Sequence, residues 1–192
     1  MDPGESERRY RQLIETSPAP INLFDASGAI IWGNDAVVDL LGLSSREQLI
    51  GRSIFEFVAA DDRHTAEREL TDVVENKTPT GPTAMQLRRP DGEIRSIRVS
   101  TAPGSYRDRD ICQAVVIDVT ELERVQTELA AERAFIEDAV NALRDVFYVM
   151  DPGGELVRWN ETLLTESGYD ESEDREMDIE DFFFDEDTER VS

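Results

Sequence analysis

One lysine, one histidine and one cysteine stand in the 192 residues of this chain. Each scarcity removes a class of function. The single Cys112 excludes an internal disulfide and a cysteine-based zinc site. No apolar run approaches the ~20 residues needed to cross a bilayer, and the N-terminus MDPGESERR is too acidic and polar for a signal peptide. Glycine-rich phosphate loops and His/Cys ligand clusters are missing too, so nothing supports nucleotide binding or metal catalysis, and no enzyme is expected.

Positive charge is also short. The 43 acidic residues outnumber 20 basic ones, for a net charge of −23. A nucleic-acid partner would require basic patches on the phosphate backbone, so direct binding of DNA or RNA is not expected. With Lys77 alone among 19 arginines, the acidic surface suggests a protein adapted to high salt, where screening relieves self-repulsion. A cytoplasmic location is the expectation.

Much of what is present is written twice. INLFDASGAIIWGNDAVVDLLG, residues 21–42, reads as a strand, a turn at Asp25-Ala26-Ser27-Gly28, a second strand and a helix capped by Asn34 and stopped by Gly42. The same grammar returns 126 residues later, in Val146–Gly168, with Asp151, Gly154, Asn160 and Gly168 on the positions of Asp25, Gly28, Asn34 and Gly42. The chain therefore carries one module and the start of another. EMDIEDFFFDEDTER continues the second copy up to the start of its long helix, without the strands that would complete its sheet. This predicts a fragment of a longer protein or a truncated gene, with the output domain elsewhere.

Between the copies the order of signals is regular. Residues 1–6 read as a disordered tail, and ERRYRQLIE as a short helix stopped by Ser17-Pro18-Ala19-Pro20. Ser44 with Glu47 has capping-box spacing, which predicts a short helix there. GRSIFEFVAADDR carries another helical turn, and Ala66, Leu70, Val73 and Val74 mark a longer helix over 62–76. Three strands follow, Thr83–Arg89, Glu93–Ala102 and Ile111–Val119, with a loop predicted from Pro103 to Asp110. The last strand is apolar on both faces. Two strands, several helices and three strands suit an α+β fold, an antiparallel sheet with its helices on one face.

Thr120-Glu121-Leu122-Glu123 has capping-box spacing at the end of the last strand, and no Pro or Gly follows until Val146. Leu122, Val125, Leu129, Ile136 and Leu143 fall on heptad a and d positions, with Glu132 breaking the pattern once. That pattern predicts a parallel two-stranded coiled coil; a lone helix packed on the second module is the alternative.

The hairpin, the Asn34 helix, RRPDGEIR and the closing IDVTELE together resemble a PAS (S-box) sensor domain, of the kind found in sensor histidine kinases of halophilic archaea. The resemblance implies a five-stranded sheet over residues 7–120, a connector helix over 121–146 and the first half of a second PAS domain over 147–192. It implies that Leu23, Leu41, Phe57, Leu70, Leu87, Val99 and Val115 face a small pocket between sheet and helices. Any ligand there would be small and apolar or aromatic, and an ordinary filled core is the alternative. Asp118, Thr120 and Glu123 would form the corner that passes a change in the sheet to the helix. Ile54 stands where a flavin-reactive cysteine would be, so covalent flavin is not expected. His64, on a solvated turn, is expected neither as haem ligand nor as phosphoacceptor. A homodimer through helices 7–16 and 121–146 is expected, reporting to an output domain in the parent. The competing function is a dimerisation scaffold without a ligand, in a transcriptional regulator.

Overall fold

A computed structural model describes residues 12–106 and 109–167. The chain divides into two compact units, Met1–Arg124 and Val125–Ser192. The far ends of both copies, including the start of helix 7–16, Gly168 and Phe182-Phe183-Phe184, lie outside the described residues.

Unit 1 opens with a helical turn over residues 12–15, then β1 (Ile21–Phe24) and β2 (Ile30–Gly33). Their turn forms because Asp25 Oδ1 accepts from the amides of Ser27 and Ala29 and from the Ser27 hydroxyl. Gly28 completes it at φ +84°, in the left-handed region that a side chain disfavours. Helix α1 (Asp35–Leu40) ends at Gly42, φ +64°. There the Leu43 and Gly42 amides return to the carbonyls of Val38 and Asp39, the Schellman closure that left-handed glycine permits.

The chain then crosses the sheet through short 3₁₀ turns and helix α2 (Arg63–Glu75), which buries Ala66, Leu70 and Val73. The expected Ser44–Glu47 capping box is not the one found. The turn is Arg46–Gln48 and starts at Ser45, while the Ser44 amide donates to Gln48 Oε1. A reciprocal box does form one turn later, between Ser53 and Glu56. Spacing alone does not choose between such pairs, because the hydroxyl must also be at the helix entry.

Strands β3 (Thr80–Arg88), β4 (Ile94–Tyr106) and β5 (Arg109–Asp118) complete an antiparallel sheet of order β2-β1-β5-β4-β3. Most of the predicted loop Pro103–Asp110 is strand: Pro103 pairs with Cys112, Gly104 with Ile111 and Tyr106 with Arg109. The pairing of β3 with β4 stops at Thr101, so beyond it β4 has a neighbour on one side only. A residue without an N–H is tolerated there. Helices and sheet share a core in which Leu49 and Val73 are fully buried.

Helix α3 (Thr120–Asn141) leaves β5 directly. In unit 2, β6 (Tyr148–Met150), β7 (Leu156–Trp159) and α4 (Glu161–Ser167) repeat β1, β2 and α1. Tyr148 pairs with Trp159 and Met150 with Leu156, as Asn22 pairs with Gly33 and Phe24 with Ile30, with the same irregularity inside each hairpin. The repeat is thus one of strand register as well as sequence.

Candidate functional site

Asn34 and Asn160 are both fully buried, and neither is merely a helix cap. Asn34 Oδ1 accepts from the amides of Ile21 and Val37, while Nδ2 donates to the carbonyls of Ala19, Ile14 and Ser17. One amide therefore ties the leading turn, the first strand and the first helix together. Asn160 makes the corresponding bonds to the amides of Phe147 and Leu163 and the carbonyl of Asp145. A buried amide must place both of its N–H donors and its oxygen on partners, since an unmatched group costs about 1–3 kcal/mol.

Between the sheet and helices of unit 1 lies a cavity of about 90 Å³. Leu41, Phe57, Leu70, Leu87 and Val99 line it; Leu23 and Val115 do not. On β1 the cavity residues are Asn22 and Phe24, and on β5 they are Ala114 and Val116. Val115 is 40% exposed on the opposite face of the sheet. A one-residue slip moves every side chain of a strand to the other face. Here β5 is apolar on both faces and β1 turns a polar Asn22 inward, so hydrophobicity pointed the wrong way. Polar residues line the cavity as well: Asn22, Thr101 and Glu69, which sequence reasoning missed. Glu69 Oε2 and Oε1 accept from the hydroxyls of Thr80 and Thr83.

The volume sets a limit. An engineered cavity of ~150 Å³ holds benzene, and ordinary ligand pockets run to ~300 Å³ or more. A site of about 90 Å³ is too small for haem or a flavin without rearrangement of its walls.

Residues of β5 connect this cavity to α3. Asp118, at the end of β5, accepts the Thr120 amide on Oδ1 at 2.9 Å, and its Oδ2 stands 3.4 Å from the Arg95 guanidinium. The Thr120 hydroxyl does not serve a capping box. It accepts from the Ser96 amide at 2.9 Å and donates to the Ser96 carbonyl, fastening the helix start to β4. The Val119 amide donates to the same carbonyl. Geometry overrides spacing here because the hydroxyl meets a strand before it meets its own helix. Glu123 is exposed, and its amide donates to the Val119 carbonyl in the first turn of α3.

Along α3, Leu122, Val125, Leu129 and Ile136 are 56, 46, 46 and 39% exposed, a stripe open to solvent in the single chain. Leu143 is not on it. The helix stops at Asn141, whose side chain takes the Glu161 amide, and the chain turns into the second copy as it does after residue 15 in the first. The predicted helix to Val146 is therefore five residues too long. The repeat carried that signal, since residue 141 corresponds to 15. Cys112 is buried, and burial pushes its thiol above the ordinary range, opposed by the Lys77 charge. Such a thiol packs rather than reacts. His64 is exposed on the first turn of α2.

Together these features define an α+β module with a small cavity enclosed by sheet and helices and an exit helix fastened to its last two strands. The chain belongs to the PAS fold family, which residues 8–117 match. It is 25% identical over 166 residues to sporulation kinase A of Bacillus subtilis, covering 83% of this chain and 25% of that one. It is 30% identical over 144 residues to the two-component sensor PprA of Pseudomonas aeruginosa, covering 73% of this chain and 15% of that protein. The chain thus spans a quarter or less of these curated relatives. Among solved structures, the PAS domain of an HTR-like protein from Haloarcula marismortui is similar, at 27% identity and TM-score 0.50 over 60% of this chain and 93% of that one. A PAS domain from Colwellia psychrerythraea shares the fold at 22% identity and TM-score 0.53, over 60% of this chain and 98% of that one. Among the described residues no helix is long and apolar enough to cross a membrane.

Proposed function

We propose that unit 1 is the input module of a sensory protein, detecting a small molecule in its cavity and passing the change through α3 to a kinase output in a longer parent. The observation that carries this reading is the continuity of β5. Ala114 and Val116 line the cavity, and two residues on, Asp118 holds the first amide of α3. A ligand that shifts β5 must therefore shift the helix start, whose other tie is Thr120 to Ser96. Packed cores and paired helices respond to such shifts by switching between discrete arrangements.

The exposed stripe Leu122, Val125, Leu129 and Ile136 supports a parallel pairing of α3 with a second copy as the receiving element. Sensor kinases among the relatives support the kinase output. The module itself catalyses nothing in this reading. The net charge of −23 supports a high-salt cytoplasm as its setting.

A second reading, a dimerisation scaffold with a filled core, is favoured by the small volume of about 90 Å³. A thermal-shift screen of the full chain in high salt separates the two, run against small metabolites and with absorbance recorded as purified. The sensor reading expects a compound that raises the melting temperature and loses its effect in Ala114→Leu, which fills the cavity floor. A broad screen with no stabilising compound overturns it and leaves the scaffold.

A further inference from the structure

Resting on the sensor reading of unit 1, we propose that its cavity takes a small primary ammonium compound with a short aliphatic tail. Three side chains carry the argument. Asn22 and Thr101 are 7% and 8% exposed, both line the cavity, and among the described residues neither side chain has a hydrogen-bond partner. Polar side chains so little exposed ordinarily find a partner in the protein or in water, so two that face one accessible space without a protein partner leave places for a polar occupant.

Strand register explains their arrangement. Asn22 of β1 and Thr101 of β4 both stand opposite Ala114 of β5, one on each side. Two strand spacings separate them, about 10 Å. The alanine between them is the smallest chiral side chain available, so the row is hollow at its centre. Thr80 of β3 continues the row, opposite Thr101. Its hydroxyl and that of Thr83 donate to Glu69 of α2, a residue that lines the cavity. The cavity thus has one polar end with an anionic acceptor, and its remaining wall is apolar, with Phe24, Ile30, Leu70 and Met85 among its residues.

That end selects by chemistry. An ionised carboxylate only accepts hydrogen bonds, while the Asn22 and Thr101 side chains each offer an acceptor oxygen. An ammonium group has three donors and no acceptor, so it suits the polar end on the Thr101 side, where Thr80, opposite Thr101, donates to Glu69, with Asn22 two strand spacings away beyond Ala114. Its charge is paired by Glu69, the condition for burying a cation. An alcohol supplies one donor. A carboxylate ligand would face Glu69 with like charge in a poorly screened site. At about 90 Å³, against ~150 Å³ for a cavity that holds the six carbons of benzene, the ligand is limited to roughly three or four non-hydrogen atoms.

The test titrates the full chain with n-propylammonium, n-propanol and acetate, each of four non-hydrogen atoms, at matched ionic strength, followed by calorimetry and thermal shift. Propylammonium is expected to bind at least about tenfold more tightly than propanol, and acetate not to bind. Glu69→Gln and Thr101→Val should each weaken propylammonium by about tenfold. Thr101→Val keeps the side-chain shape, so a loss there is not a folding defect. If propanol or acetate binds as well as propylammonium, or both variants bind it unchanged, the ligand class is wrong and the sensor reading stands. If none of the three binds while another compound in the broad screen stabilises the chain, the ligand class again falls alone. If nothing binds, both fall.

Discussion

Replacing Asn34 separates two roles that one side chain combines. Alanine removes the helix cap, at about 1 kcal/mol. It also leaves the Ile21 amide and the Ala19 carbonyl, bonded at 3.0 and 2.9 Å, without partners. Orphaned groups of this kind cost about 1–3 kcal/mol each. Because Asn34 is fully buried, water cannot take its place. Asn34→Ala should therefore lose about 4 kcal/mol, a large part of the ~5–15 kcal/mol that holds a domain together. Asn34→Ser retains a good cap but cannot reach the three carbonyls, and should still lose about 3 kcal/mol. Asn34→Asp keeps the acceptor and turns an oxygen towards those carbonyls, which raises the folded-state pKa of the new carboxyl. Its penalty should be small below the unfolded value of ~3.9, where the acid can donate, and grow as pH rises through the folded value.

The assay is equilibrium urea denaturation read by tryptophan fluorescence. Trp32 and Trp159 are the two tryptophans, one in each unit, so a Trp159→Phe background reports on unit 1 alone. If Asn34→Ser matches the parent to within about 0.5 kcal/mol, Asn34 is only a cap. Its bonds to the leading turn and β1 then contribute nothing to stability.

Three further outcomes follow from the same structure. Gly33→Ala would set a Cβ 2.6 Å from Leu49 Cδ2, and Leu49 is fully buried, so the variant should lose about 1–3 kcal/mol in the same assay; an unchanged midpoint contradicts the packing. Thr120→Val keeps the shape and removes the hydroxyl bonds to Ser96, which should cost about 1 kcal/mol and speed hydrogen exchange of the Ser96 amide. Exchange at the parent rate would mean the corner is held by other contacts. Asp25 is held below its ordinary 3.8 mainly by the Ser27 hydroxyl, then by the Ala29 and Ser27 amides, against the opposing effect of burial. A depressed carboxyl stabilises fully above its unfolded value and loses that contribution as pH falls through the folded one. The stability gap between parent and Ser27→Ala should therefore be present near neutral pH and close below 3.8, and a gap that persists in acid refutes the assignment.

Features that depend on neighbours along the chain are legible in the amino-acid order. The Asp25–Gly28 turn, the Gly42 stop, the helical period of Ala66, Leu70 and Val73, and the doubling of the opening motif are all local patterns. Each returned with its expected geometry. Five cavity residues were also legible, because large apolar side chains on helices and inward strands have few other places to go. Whatever depends on which strand lies beside which is fixed only when the sheet assembles. β5 offers apolar residues on both faces, so only its pairing with β1 and β4 could turn Ala114 and Val116 inward and leave Val115 outside. Pairing also drew Pro103 and Gly104 into a strand, and it brought Asn22 and Thr101 to either side of Ala114 from 92 and 13 residues away. The hydroxyl of Thr120 went to Ser96, 24 residues back, because the fold put that backbone within reach. Hydrogen bonds and register act at distances of a few ångströms in space, and separation along the chain does not encode them.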